Sequence, residues 1–113
     1  MMTGKEYKES LRKRNIIVYL QGKQIPAKEL PDHPFIRGHV NSASVTYDLA
    51  FDPAYENLMT ATSHLTGKKI NRFTHIHQSV EDLVKKVKML RMLSLKTGTC
   101  YQRCVGFDAM NAT

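Results

Sequence analysis

Cys100 and Cys104, four residues apart near the end of a 113-residue chain, are the residues whose type and spacing bear most directly on chemistry. On a helix that spacing stacks them on one face with Cβ atoms about 5 to 6 Å apart. A disulfide needs roughly 3.5 to 4.5 Å and a particular torsion, so an intact helix disfavours the bond. The wider gap suits thiolates that bind different irons of one cluster, and thiolates joined by histidines equally suit zinc. Packing as small buried hydrophobes is the third reading of the same spacing. Arg103 between the two sulfurs, and a helix N-terminus beginning at Thr99, would both favour the thiolate form. A cluster takes about four protein ligands and the chain has two cysteines, so further ligands must come from elsewhere. His75 and His77 share a side of any extended segment, where they either ligate or hydrogen-bond locally near Ser79.

The elements that must position these groups follow from pattern. Ser79 with Asp82 three residues on predicts a helix start, and Val80, Leu83, Val84 and Val87 recur at helical spacing as its inward face. Glu81, Asp82, Lys85 and Lys86 then fall on the outward faces. From Met89 to Leu95 the helix is apolar all round except for Arg91 and Ser94, as when protein surrounds a helix. Arg91 lies on the side of Val84 and Val87, where a buried cation needs an anionic or hydrogen-bonding partner. Gly98 ends this helix, and Thr99 with Gln102 predicts a new one that carries both cysteines through Phe107 to Asn111. Upstream, Thr3 and Glu6 form a capping-box pattern for a helix to about Arg14. Ile16–Leu20, Gln21-Gly22 and Gln24-Ile25 suit a small hairpin stopped by Pro26. Pro31 to Pro34 is a turn, Val45 to Phe51 is helical, and Asp52-Pro53 supplies the cap and first position of a helix to Met59. Gly67 to Phe73 reads as loop or extended chain.

Composition narrows the classes. The chain is 42% hydrophobic and 24% charged with a formal net charge of +7, ordinary globular material of at most one domain. Its longest strictly apolar run, Ile16 to Leu20, is far short of the roughly 20 residues of a membrane span, and the charged start carries no secretory signal. Cytoplasmic residence is therefore expected. The basic residues are dispersed among acids without aromatic interleaving, which argues for a solvated face and against a nucleic-acid partner. An all-round apolar helix and a final helix without a stop signal point to part of something larger.

Several segments together carry a family resemblance. Asp32 to Arg37, Thr46 to Ala50 with Asp52-Pro53, Leu65 to Phe73, His77 to Ser79, Lys85 to Met89 and above all Cys100-Tyr101-Gln102-Arg103-Cys104-Val105-Gly106 resemble the start of the 4-hydroxybutyryl-CoA dehydratases (vinylacetyl-CoA Δ-isomerases). These belong with the 4-hydroxyphenylacetate 3-hydroxylase flavoproteins. The resemblance implies a mainly α chain: residues 1–113 as a partial N-terminal helical domain of an acyl-CoA dehydrogenase-like fold, with a small β-hairpin near residues 16–25. It implies that the chain stops within its last helix, before the β domain and the C-terminal helical domain. It implies further that Cys100 and Cys104 hold a 4Fe-4S cluster beside FAD, with a histidine and a third cysteine from the absent part. His75 and His77 do not match that histidine and are set aside as ligands. Gln102 and Arg91 become candidate active-site residues, against a capping role for Gln102 and a structural ion pair for Arg91. Expected partners are an acyl-CoA substrate, the rest of the polypeptide and a homotetramer. The isolated chain is expected to be inactive. A flavin-dependent aromatic hydroxylase domain and a freestanding helical metal-binding module are the alternatives.

Overall fold

The computed structural model describes residues 1–101, so Gln102, Arg103, Cys104 and the expected helix beyond them lie outside the described residues. Two compact units form, Met2–Asp48 and a second beginning at Leu49.

In the first unit, α1 (Gly4–Arg12) starts at the expected capping box: the Thr3 side chain accepts from the Glu6 amide, and the Glu6 side chain accepts from the Thr3 backbone. That exchange holds the Glu6 carboxyl below its ordinary pKa. Strands β1 (Val18–Leu20) and β2 (Lys23–Ile25) pair antiparallel, with Val18 opposite Ile25. Gln21 and Gly22 between them have φ of 52° and 77°, the doubly positive backbone a two-residue hairpin requires. Pro26 stops β2 as expected, and a 3-10 turn, Ala27–Glu29, follows. Helix α2 (Arg37–Asp48) lies against α1: Tyr7 stacks on Tyr47 at 4.8 Å, and the Gly4 amide donates to the Asp48 carboxylate at 2.7 Å. A Cβ on Gly4 would strike that carboxylate, so the close approach requires glycine. Ile25, Leu30 and Val40 are the buried apolar side chains.

The second unit opens with a 3-10 turn, Leu49–Phe51, then α3 (Glu56–Met59). Asp52 does not cap that helix as expected. Its carboxylate accepts from the Ala54 amide at 2.9 Å, and this local turn delays helical geometry until Glu56. Strands β3 (Thr60–Thr62) and β4 (Lys69–Asn71) make a second hairpin, so the stretch from Gly67 read as loop or extended chain is extended at β4. Its connection is organised by Ser63, whose hydroxyl accepts from the amides of Leu65 and Thr66 and whose carbonyl accepts from Gly67. A 3-10 turn, Arg72–Thr74, leads on to α4 (Val80–Thr97), capped by Ser79 onto the Asp82 amide and ended by Gly98 at φ 66°. Met59, Met89, Leu90 and Leu93 form the apolar core. None of the described helices is long and apolar enough to cross a membrane.

Two expectations for α4 are corrected. The stripe Val80, Leu83, Val84 and Val87 is not its inward face: Val80 is 78% exposed, and Leu83 and Val84 are about half-exposed. The buried side carries Asp82, Lys86, Met89 and Leu93, and Lys86, expected on the surface, is 1% exposed. The reason is that Asp82 is bound into the second unit by hydrogen bonds that fix the rotation of the helix.

Candidate functional site

Arg91 and Cys100, singled out by sequence for different reasons, line one groove. Its volume is about 440 Å³, and its walls are Val87, Leu90, Leu95 and Tyr101 with Ser94. Arg91 sits two turns from the end of α4 and is exposed, and among the described residues it does not form the buried ion pair that is one of its two readings. It shares a face with Val84 and Val87, as its spacing requires, but that face points outward. Cys100 lies two residues past the Gly98 cap and is exposed.

The helix expected to carry Cys100 does not begin at Thr99. Thr99, Cys100 and Tyr101 stand outside any helix, and hydrogen bonds of Thr99 and Tyr101 run back onto the last turn of α4. The Thr99 amide donates to the Thr97 hydroxyl, the Thr99 hydroxyl donates to the Thr97 carbonyl, and the Tyr101 hydroxyl donates to the Thr97 hydroxyl at 3.3 Å. Tyr101 also meets Phe73 in a tilted ring contact. These bonds turn the chain back along α4, where Cys100 lines the same groove as Arg91. The groove therefore places a polarizable sulfur and a guanidinium at the edge of apolar walls, an arrangement suited to an anionic group that carries an apolar portion.

A second constellation surrounds Arg72, and no local sequence signal marks it. Arg72 is 5% exposed; its Nε donates to the Leu58 carbonyl, and one of its terminal nitrogens donates to the carbonyls of Asn57 and Thr60 at 3.2 and 2.6 Å. Its other terminal nitrogen meets Asp82 at 3.4 Å. Asp82 also accepts from His75 Nε2 at 3.0 Å and from the Gln78 amide at 2.9 Å. Partial burial pushes the Asp82 carboxyl up, but the Gln78 amide, His75 and Arg72 together outweigh it and hold the pKa at about 2. Burial pulls Arg72 down against the attraction of Asp82. These side chains line an open cleft of about 740 Å³ whose remaining ions pair locally, Lys69 with Glu56. Lys85, also on the cleft, pairs with Glu81 at 2.9 Å. The arrangement ties α3 and β3 to the start of α4. His75 is thus the hydrogen-bonded loop histidine that its position near Ser79 allowed, and His77 is half-buried. The signal that could have revealed the network is arithmetic: stepping back from the core residues Met89 and Leu93 by helical intervals reaches Lys86 and Asp82.

A metal centre needs more than the described residues bring together. Among them no group of three or more His, Cys, Asp and Glu side chains could hold an ion. Cys100 offers one exposed sulfur, and the expected second ligand, Cys104, lies outside the described residues.

Comparison with known proteins bears on the same residues. The family model of the 4-hydroxyphenylacetate 3-hydroxylase N terminus matches residues 3–113. The chain is 54% identical, over 99% of its own length and 22% of the relative's, to the 4-hydroxybutyryl-CoA dehydratase/vinylacetyl-CoA-Δ-isomerase of Clostridium aminobutyricum. It is 31% identical over 74% of its length to the oxygenase component of 4-hydroxyphenylacetate 3-monooxygenase from Thermus thermophilus. Among solved structures, the oxygen-tolerant archaeal 4-hydroxybutyryl-CoA dehydratase from N. maritimus superposes with a TM-score of 0.85 at 53% identity, over 97% of this chain and 21% of that one. The FAD complex of a 4-hydroxyphenylacetate 3-monooxygenase oxygenase component gives 0.70 at 27% identity, over 85% of this chain and 19% of that one. The chain spans about a fifth of the length of these relatives. The helical units with small hairpins, and a sequence match that runs from Thr3 through the cysteine motif, make the chain a member of the 4-hydroxyphenylacetate 3-hydroxylase family, matching its N-terminal part.

Proposed function

We propose that this chain is the N-terminal part of a dehydratase that removes water from 4-hydroxybutyryl-CoA to give crotonyl-CoA and also isomerises vinylacetyl-CoA. The observation that carries this reading is the identity of 54% over almost the whole chain to an enzyme of that name, against 31% over three quarters of it to an aromatic monooxygenase component. The groove supports it from the physical side, since it sets Arg91 and Cys100 together on apolar walls.

Cys100 and Cys104 would hold a 4Fe-4S cluster, with the other ligands supplied from outside this chain. When bound, the cluster supplies polarisation of the departing hydroxyl and FAD supplies one-electron chemistry, which together make loss of an unacidic β-proton feasible. The chain's own residues have simpler tasks. Arg91 attracts the thioester oxygen or a phosphate of the CoA ester, Gln102 donates an amide hydrogen bond to substrate or flavin, and Val87, Leu90 and Leu95 keep water from the acyl chain. The complete enzyme would act in the cytoplasm as a homotetramer.

The test is an anaerobic assay of the complete polypeptide that carries this segment. Crotonyl-CoA formed from 4-hydroxybutyryl-CoA is the expected result. Hydroxylation of 4-hydroxyphenylacetate with reduced flavin, without iron in the protein, would replace this reading with the monooxygenase one. The isolated 113-residue chain, treated with iron and sulfide, is expected to form no crotonyl-CoA and no stable cluster; a dimer holding one cluster would instead indicate a freestanding metal-binding module.

A further inference from the structure

The first half of α4 stands with its charged side inward and its aliphatic side outward. Val80, Leu83, Val84 and Val87 follow one another at intervals of three and four residues and so form one stripe. Val80 is 78% exposed, and Leu83 and Val84 are 41% and 44% exposed. Rotating the helix to bury them would pull Asp82 from Arg72, His75 and the Gln78 amide and would carry the buried Lys86 to the surface. It would leave the Arg72 guanidinium buried without its counter-ion. The tether therefore keeps an apolar stripe on display, which water penalises and a covering surface would relieve.

We propose that this stripe is the docking surface for the remainder of the same polypeptide, the part of the relatives' length that this chain does not span. The proposal rests on the reading of the chain as an N-terminal part. Two observations choose that occupant. The relatives are about five times as long as the chain, so they contain ample further structure to cover the stripe. The same helix face also continues without a break through Arg91 and Leu95 into the groove at Cys100. A surface seated on Val80 to Val87 is thus delivered beside the thiol that needs ligands from outside the chain. Arg91, covered in the same movement, would require an anionic or hydrogen-bonding group opposite it.

The test co-expresses this chain with the remaining part of the Clostridium aminobutyricum relative and measures association of the pair by sedimentation. A one-to-one complex is expected. Leu83→Glu and Val84→Glu should each weaken it at least about tenfold, since either puts a carboxylate into an apolar contact, while far-ultraviolet circular dichroism of the chain is unchanged because both positions are exposed. Lys68→Glu, in the exposed connection between β3 and β4, should leave association unchanged. Undiminished association of both stripe variants would overturn the proposal, as would self-association of the chain abolished by the same substitutions, which would make a second copy the occupant. A complex that forms through the stripe but makes no crotonyl-CoA would uphold the docking and refute the proposed reaction. Full turnover with association unaffected by the stripe variants would do the reverse.

Discussion

Asp82 is the residue on which the second unit turns. Its carboxylate accepts from three partners and carries a pKa of about 2, below the ordinary 3.8. A depressed carboxyl contributes stability that is complete above the ordinary value and fades as pH falls toward about 2. The shift corresponds to about 2 kcal/mol, since Asp82 is only 20% exposed. Urea unfolding followed from pH 5 to pH 2 should show that loss, and Asp82→Asn should be less stable at pH 7 by about 2 kcal/mol and lack that part of the acid dependence. An Asp82→Asn profile with the same slope would place the acid sensitivity elsewhere. Arg72→Met tests the other end. It takes the donor from three carbonyls and the cation from Asp82, which keeps His75 and the Gln78 amide, and a loss of about 3 kcal/mol is expected, mostly from unsatisfied buried acceptors.

The behaviour of α4 as an element shows what can be read from residues and what cannot. Its start at Ser79 and its end at Gly98 were legible because each signal is local: a hydroxyl that bonds an amide three residues on, and a backbone at φ 66° that favours glycine. The two capped helix starts and the hairpin turn at Gln21-Gly22 were legible for the same reason. The rotation of α4 was not, because periodicity identifies an apolar stripe without saying whether this unit covers it. A long-range tether from Arg72 and His75 decided that. The β3 strand, Thr-Ala-Thr, is too short for its alternation to stand out, and the turn organised by Ser63 supports its pairing. Arg91 and Cys100 were legible as candidates, but the hydrogen bonds onto Thr97 that join them in one groove were not. Leu93→Ala, at a fully buried position, should cost about 2 to 5 kcal/mol, whereas Val84→Ala should stay within about 0.5 kcal/mol. Gly98→Ala, with nothing near its Cβ but a left-handed backbone, should cost about 1 kcal/mol.

For the molecule as a whole, the net charge of +7 belongs to a chain that matches about a fifth of its relatives' length, and the proposed reaction needs groups from the rest. Cys100 is proposed as a cluster ligand in a complete dehydratase. The most direct measurement is the iron content of that complete polypeptide, purified without oxygen, as the wild-type protein and as Cys100→Ser. About four irons per chain and crotonyl-CoA formation are predicted for the wild type, with both lost or sharply reduced in Cys100→Ser and the fold retained by circular dichroism. A Cys100→Ser protein that keeps its iron and its turnover would contradict the claim.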